Sequence, residues 1–140
     1  GTGHYEAVRI IYDPTAIDTR ALYDLFFRSI DPTDDGGQFC DRGHSYRTAI
    51  FASGADAEMA EAAKAAAQAE LGQPIVTPVL PEATFFMAED YHQDYYKSSK
   101  IVLTRFGPIT QAQSYKRYRK ACGRDARVKQ LWGPNAPFIN

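Results

Sequence analysis

The sequence predicts one domain of mixed strands and helices, in the order strand, helix, strand, helix, strand, followed by a helical tail. Three observations support this prediction. Residues 5–12 alternate between two faces, as a strand does. Apolar residues in 19–30 recur at helical spacing, and 57–71 is an alanine-rich segment that ends at a glycine. A length of 140 residues suffices for one domain with one core.

The composition excludes several classes of protein. Hydrophobic residues make up 44% and charged residues 24%, which is ordinary for a globular fold, and a net charge of −1 gives no general attraction to nucleic acid or membranes. No apolar run approaches the roughly 20 residues of a transmembrane helix, so no membrane partner is expected. The opening Gly-Thr-Gly-His, without a recognisable signal peptide, indicates the interior of a longer chain or a processed or engineered start. The compartment therefore stays open, with the cytoplasm slightly favoured.

The first two elements have clear ends. Asp13-Pro14 ends the strand 5–12, and Asp18 is the predicted N-cap of the helix 19–30. Asp31-Pro32 ends that helix, because the residue before a proline avoids the α region.

The segment 38–51 brings a thiol, a carboxylate, an imidazole and a phenol to the start of a predicted strand, 46–52. Gly43 allows the chain to bend there. A zinc site is a weak alternative, since the spacing matches no paired ligand pattern; its donors would be Cys40, Asp41, His44 and His92. A nucleophilic pair of Cys40 and His44 is a second alternative.

A more informative grouping combines two carboxyl groups and a phenol. Glu6 lies near the start of the first strand, either as a solvated strand-end residue or inside a cleft. If Glu6, Asp41 and Tyr46 converge at strand ends, a raised pKa would let Glu6 donate a proton near neutral pH. Tyr46 could then hydrogen-bond a developing oxyanion.

The second half contains less chemistry. Asp56 is the predicted cap of the helix 57–71, and 75–80 is an edge strand because it contains a proline. A short helix is expected in 88–96, and the tail 111–133 is one or two helices broken near a glycine.

The tail is rich in cations. Its basic residues between 116 and 129 are Lys116, Arg117, Arg119, Lys120, Arg124, Arg127 and Lys129, with Tyr115 and Tyr118 among them. This pattern fits a nucleic-acid patch, or a solvated helix face whose long side chains cover the core. We favour the second interpretation, because the whole domain lacks the positive balance of a nucleic-acid binder.

Several segments together resemble one family, the A-type peptide methionine sulfoxide reductases. They occur in the family's order over about the first hundred residues, and they are Thr2-Gly-His-Tyr-Glu-Ala-Val-Arg9, Tyr12-Asp-Pro14, Asp31-Pro-Thr33, Asp41-Arg-Gly-His-Ser-Tyr-Arg-Thr-Ala-Ile50 and Ala88-Glu-Asp-Tyr-His-Gln93. The tail, Arg119-Lys-Ala-Cys-Gly-Arg-Asp125 to Leu131-Trp-Gly133, resembles the C-terminal extension of one bacterial branch.

The resemblance implies a thiol-dependent reductase of methionine-S-sulfoxide, free or in proteins, with no bound cofactor. A thiolate attacks the sulfoxide sulfur, and the sulfenic acid condenses with a resolving thiol into a disulfide that thioredoxin, or dithiothreitol, reduces. Glu6 matches the family's proton donor, Tyr46 the phenol that binds the sulfoxide oxygen, and Asp41 the acid of the polar network. His92 and Tyr95 fall in the family's segment beside the substrate pocket.

The sequence departs from the family in one large respect. The family's nucleophile lies in a Gly-Cys-Phe-Trp motif on the first core strand, and that motif is absent here. Cys40 does not replace it, whereas Cys122 is either a resolving thiol or a small buried residue. We therefore expect the nucleophile on a separate N-terminal segment, and little activity of this chain alone; an inactive sulfoxide-binding module is the alternative.

The resemblance also implies the fold. It is α+β, a ferredoxin-like mixed sheet with helices on one face, here without its first strands. Residues 1–106 would form this incomplete core and 107–140 a helical extension packed on it. An incomplete sheet exposes an unpaired edge, so we expect the missing segment or a second copy to cover it, or the sheet to be rearranged.

Overall fold

The computed structural model describes residues 3–89 and 92–139 and has an α+β architecture. Its helices are α1 (Thr19–Ser29), α2 (Gly54–Leu71), α3 (Gln111–Ala121) and α4 (Arg124–Trp132). Its strands are β1 (Gly37–Gln38), β2 (Asp41–Arg42), β3 (Ile50–Phe51), β4 (Val79–Leu80), β5 (Ile101–Thr104) and β6 (Gly107–Thr110). Short 3₁₀ turns cover His44–Tyr46, Tyr95–Lys97 and Gly133–Asn135.

Helix α1 confirms its predicted limits. The side chain of Asp18 accepts a hydrogen bond from the backbone N–H of Arg20 at 3.2 Å, so it satisfies one of the free donors at the helix start. The helix ends before Asp31-Pro32, as expected, and it buries Phe27 completely.

Helix α2 begins three residues earlier than predicted. Its N-cap is Ser53, and the prediction that Asp56 caps the helix is wrong. Asp56 instead lies in the first turn, where its carboxylate complements the positive end of the helix dipole. The helix ends at Gly72, which takes the left-handed conformation at φ 66°.

Contact between α1 and α2 forms the centre of the core. Ala60, Ala63 and Ala67 lie on the buried side of α2, where their small side chains make room for Phe27. At the rim, Arg28 of α1 donates to Glu70 of α2 at 2.9 Å.

The strands described here form three separate pairs. β1 and β2 are antiparallel, β3 and β4 are parallel with Ile50 opposite Val79, and β5 and β6 form an antiparallel hairpin. The ferredoxin-like single sheet expected from the resemblance therefore stays a prediction.

Three predicted elements are shorter than expected or are not formed. Residues 5–12 form no strand, and Val8 and Ile11 are 86% and 85% exposed. Strand formation needs a series of hydrogen bonds to a partner segment, and among the described residues the backbone of this segment has one, from Glu6 to Ser45. Within the predicted strands 46–52 and 75–80, only Ile50–Phe51 and Val79–Leu80 are paired, because a 3₁₀ turn occupies the start of the first and Pro78 lies within the second.

Two of the nine residues of the short helix predicted in 88–96, residues 90 and 91, lie outside the described part of the chain. Among the others, His92 has 3₁₀ geometry, as do the two residues that begin the 3₁₀ turn Tyr95–Lys97. The hairpin β5–β6 has no counterpart in the sequence-based prediction, although the β-branched residues of Ile101–Thr104 and the nearby Gly107 are typical of one.

The tail confirms the predicted break. Gly123 separates α3 from α4 with φ 74°, a conformation that glycine adopts at no steric cost. Val128 and Trp132 of α4 join the same core cluster as Phe27. The predicted boundary at 106/107 falls within the β5–β6 hairpin, and the division into core and extension stays a prediction. No described helix is long and apolar enough to span a membrane.

Candidate functional site

The N-terminal segment is held against the 3₁₀ turn that carries Tyr46. The backbone N–H of Glu6 donates to the carbonyl oxygen of Ser45 at 2.8 Å. Tyr5 adds ring contacts with His44 and Phe51, with centroids 5.4 Å apart in both cases. The backbone of Glu6 therefore lies beside Ser45, the residue before Tyr46, although Glu6 and Tyr46 are forty positions apart in the sequence.

A tight loop positions Asp41 relative to the same turn. Asp41 lies in β2 opposite Gln38, and Gly43 follows with φ 118°, which confirms the bend predicted at this glycine. The N–H of Gly43 donates to Gly36 at 2.9 Å, and its carbonyl accepts from Tyr46 N–H at 3.1 Å. Asp41 and Tyr46 thus flank one glycine turn with a fixed backbone.

The side chains of the three predicted site residues do not contact one another. Glu6, Asp41 and Tyr46 are all exposed, and no hydrogen bond between their side chains occurs in the described part of the chain. Backbone hydrogen bonds place Glu6 next to Ser45 and hold Tyr46 to Gly43, two residues after Asp41. Their roles stay predictions.

The two residues predicted to line the substrate pocket have different surroundings. His92 is exposed, with its Nε2 4.0 Å from a carboxylate oxygen of Glu89. Tyr95 is half-buried and donates its hydroxyl to Ser114 Oγ of α3 at 3.0 Å. Tyr95 thus anchors the 3₁₀ turn to the tail, and its role in substrate binding remains untested.

Sequence reasoning missed the residues that connect these parts. His4 contacts the ring of Phe86 at 5.6 Å, and the guanidinium of Arg9 lies 4.8 Å above the ring of Phe85. Arg47 stacks on Tyr5 at 5.6 Å. Among these residues the sequence offered one signal, the pair Phe85-Phe86. A pair of aromatic residues does not indicate which side chains pack against it.

Asp31 connects the loop to the tail. Its Oδ2 accepts from Arg127 Nε of α4 at 2.8 Å, and its Oδ1 accepts from the N–H and hydroxyl of Thr33 at 3.0 and 2.6 Å. Its backbone exchanges two hydrogen bonds with the side chain of Gln38. Asp31 therefore holds together the end of α1, β1 and α4.

The two cysteines of the chain form a disulfide with each other. Cys40, next to Asp41, is bonded to Cys122, which caps the C-terminus of α3. In this state neither sulfur is a thiolate, so the alternatives of a Cys40–His44 nucleophile and of Cys40 as a zinc ligand do not fit the structure. Within residues 3–89 and 92–139 no group of three or more His, Cys, Asp or Glu residues is arranged to hold a metal ion. Whether Cys122 acts as a resolving thiol stays a prediction.

The basic tail is largely engaged within the molecule. Arg119 pairs with Asp125 at 2.6 Å and donates to the hydroxyl of Tyr115 at 2.9 Å. Arg124 lies 4.3 Å above the ring of Phe39 and donates to the carbonyl of Ser29 at 3.2 Å. Burial lowers the pKa of Arg124, although a guanidinium stays charged at neutral pH. These contacts favour the structural interpretation of the tail over the nucleic-acid patch.

An ion pair between Arg42 and Asp34 also stabilises the loop that carries Asp41. Arg42 donates to both carboxylate oxygens of Asp34, at 2.5 and 2.9 Å. These hydrogen bonds lower the pKa of Asp34. The bidentate geometry ties β2 to the start of the loop.

The chain is similar to proteins of one named family. A family model described as peptide methionine sulfoxide reductase matches residues 1–133. A relative from Caulobacter vibrioides, named peptide methionine sulfoxide reductase MsrA 2, is 47% identical over 94% of this chain and 62% of its own length. A relative of the same name from Rhizobium meliloti is 47% identical over 96% of this chain and 62% of its own length. A relative of the same name from Staphylococcus aureus is 38% identical over 94% of this chain and 70% of its own length.

One solved structure is similar to this chain in both sequence and fold. The structure of Mxr1 from Saccharomyces cerevisiae in reduced form is 41% identical, with a TM-score of 0.58, over 60% of this chain and 47% of that protein. The chain thus spans less than two thirds of the length of the Caulobacter and Rhizobium relatives.

Proposed function

This chain belongs to the peptide methionine sulfoxide reductase family, and from that membership we propose that it takes part in the thiol-dependent reduction of methionine-S-sulfoxide. The substrate is methionine sulfoxide, free or within proteins. The observation that most supports the proposal is the hydrogen bond from Glu6 N–H to Ser45 O, since it brings an acid to the turn that carries Tyr46.

The proposed roles follow from the chemistry of the S=O bond. A thiolate attacks the sulfoxide sulfur while the carboxyl group of Glu6 gives a proton to the oxygen. The hydroxyl of Tyr46 donates a hydrogen bond to that oxygen, and Asp41 orients the polar groups around it. A second proton lets the protonated oxygen leave the substrate sulfur as water, and a water molecule then attacks the enzyme sulfur and loses a proton. The bond between the two sulfurs breaks, so that the thioether leaves and a sulfenic acid remains on the attacking sulfur.

A second thiol then completes the cycle. It displaces hydroxide from the sulfenic sulfur, so that a disulfide and water form. A dithiol, thioredoxin in the cell or dithiothreitol in the assay, reduces that disulfide and is itself oxidised. Two electrons therefore pass from the dithiol to the sulfoxide. His92 and Tyr95 are proposed to border the pocket for the substrate.

The attacking thiol is proposed to come from a segment outside these 140 residues. The Gly-Cys-Phe-Trp motif that carries the family's nucleophile is absent from these residues, and Cys40 and Cys122 are joined to each other. The extended segment 5–12 lacks a strand partner among the described residues, and its exposed Val8, Ile10 and Ile11 are suited to packing against further strands. A segment that supplied those strands would also complete the ferredoxin-like sheet.

The test joins this chain to the part of the Caulobacter relative that it does not span. The fusion should reduce methionine sulfoxide with dithiothreitol, whereas the 140-residue chain alone should show no turnover. Turnover by the chain alone would overturn the proposal that the nucleophile lies elsewhere.

A variant of the active fusion tests Glu6. Glu6→Gln removes the proton donor but keeps the shape of the side chain, so the single-turnover rate of sulfoxide reduction at pH 7 should fall by about 10²-fold or more. Glu58→Gln, on the exposed side of α2, is the control. An unchanged single-turnover rate in Glu6→Gln would exclude Glu6 as the donor.

A further inference from the structure

The disulfide joins two parts of the chain that other contacts already hold together. Cys40 and Cys122 are 82 positions apart in the sequence, and their Cα atoms are 5.3 Å apart. Whether such a bond is a permanent staple or a reversible centre depends on what keeps the two sulfurs close when the bond opens.

The loop around Cys40 has its own non-covalent frame. β1 pairs with β2 on either side of Cys40, with Gly37 opposite Arg42 and Gln38 opposite Asp41. The amide of Gln38 is bonded to Asp31 at 2.9 and 2.8 Å within the protein interior. None of these contacts involves sulfur, so the loop keeps its shape when the disulfide is reduced.

The turn around Cys122 is fixed in the same way. The N–H of Cys122 donates to Tyr118 O at 2.8 Å, which completes the last turn of α3. The ion pair between Arg119 and Asp125 connects α3 to α4 across the turn.

Two arginines bridge the loop and the turn directly. Arg124, two residues after Cys122, covers the ring of Phe39, the residue before Cys40, and donates to Ser29 O. Arg127 pairs with Asp31 at 2.8 Å. Reduced thiols would therefore remain neighbours, which is equivalent to a high effective concentration of one thiol at the other.

Cys40 is an exposed residue and Cys122 is half-buried, so an external thiol is expected to attack on the side of Cys40. Attack on Cys40 Sγ releases Cys122 as a thiolate. The second thiol of the reductant then displaces Cys40.

From this arrangement we propose that Cys40 and Cys122 form a reversible dithiol–disulfide centre, which an external dithiol opens while the rest of the chain stays folded. The dithiol loses two electrons and becomes a disulfide, and the protein gains two thiols. The inference does not depend on the proposed sulfoxide chemistry.

Thiol counting on the 140-residue chain tests the proposal without any activity. The chain is equilibrated at 25 °C with a series of dithiothreitol ratios, quenched with N-ethylmaleimide and weighed intact, while near-ultraviolet circular dichroism follows the tertiary structure. We expect two labels per chain with the dichroism retained, and return to an unlabelled monomer in excess oxidised dithiothreitol. Labelling that requires denaturant, or that coincides with loss of the dichroism, would overturn the proposal.

Variants of the tail test whether the arginine bridge keeps the two thiols close to each other. Arg124→Gln should leave the oxidised fold intact but shift the equilibrium toward the dithiol by about tenfold, as expected for one lost charge-assisted contact. Lys129→Gln, on the exposed side of α4, should not shift it. Equal equilibria for both variants and the parent chain would contradict the role given to the arginine bridge. The single variants Cys40→Ser and Cys122→Ser each keep one thiol, so each should carry one N-ethylmaleimide label per chain. Any other number of labels would refute the assignment of the two labels in the parent chain to Cys40 and Cys122.

Discussion

Arg127 offers a sharp test of how the tail stabilises the loop that carries Asp41. Its Nε donates to Asp31 Oδ2 at 2.8 Å, and the exposed fractions of the two side chains are 34% for Arg127 and 11% for Asp31. Arg127→Gln leaves the Asp31 carboxylate with the two hydrogen bonds from Thr33 but without its countercharge. An uncompensated charge at a buried position destabilises the folded state.

The structure limits the size of this effect. Breaking a fully buried pair costs about 3–5 kcal/mol, and losing one hydrogen bond to a charged group costs about 1.5–3 kcal/mol. Because Arg127 is one third exposed and Asp31 keeps two donors, we expect a loss of about 2 kcal/mol in the free energy of unfolding. With an unfolding entropy of about 2.1 cal/mol/K per residue, this loss lowers Tm by about 7 °C for 140 residues.

Urea unfolding of the oxidised chain, followed by circular dichroism, measures the change. Lys129→Gln is the matched control on the same helix, since Lys129 is exposed, and it should change the free energy of unfolding by less than about 0.5 kcal/mol. If Arg127→Gln also stays within 0.5 kcal/mol of the parent chain, the bridge between Asp31 and α4 does not stabilise the fold, and our reasoning is refuted.

Three further predictions concern the loop and the tail. Gly37→Ala places a Cβ about 2.9 Å from Arg42 Cα at φ 147°, so it should cost about 1–3 kcal/mol of unfolding free energy, more than Gly43→Ala, whose Cβ meets no atom within 4 Å; equal losses in urea unfolding would contradict this. The pKa of Asp34 is lower in the folded chain than in the unfolded chain, so its ion pair with Arg42 contributes stability above about pH 4 and loses it as the pH falls further. The difference in urea midpoint between the parent chain and Asp34→Asn should therefore shrink from pH 6 to about pH 2, and a constant difference would be evidence against the ion pair. Tyr95→Phe leaves the buried Ser114 hydroxyl without its donor, so the unfolding free energy should fall by about 1 kcal/mol, and an unchanged value would show that this hydrogen bond contributes nothing.

Local signals predicted the helices well. The Asp18 cap, the proline after Asp31 and the left-handed glycines Gly72 and Gly123 each act within a few residues of the chain, so the sequence alone fixes their positions. At the start of α2 the prediction chose the wrong cap, since Ser53 and Asp56 are both residue types that favour the N-cap position. The Oγ of Ser53 accepts from the backbone N–H of Glu82, a partner that no local pattern indicates.

Strands and side-chain partners were predicted less well. The pattern of residues 5–12 is typical of a strand, yet a strand exists only when a second segment supplies its hydrogen bonds. The candidate residues Glu6, Asp41 and Tyr46 came from segments that the family's motifs identify, and the structure adds the backbone contact that places Glu6 beside the turn.

The amino-acid sequence by itself determined the family, the helices α1, α3 and α4 and the two cysteines as chemically distinctive residues. Only the tertiary structure decided that Cys40 is bonded to Cys122 and that Arg127 neutralises Asp31. These partners lie 82 and 96 positions apart, and no periodicity or capping rule extends over such distances. Contacts of this kind depend on how helices pack, because burial of the core, not local propensity, brings distant side chains together.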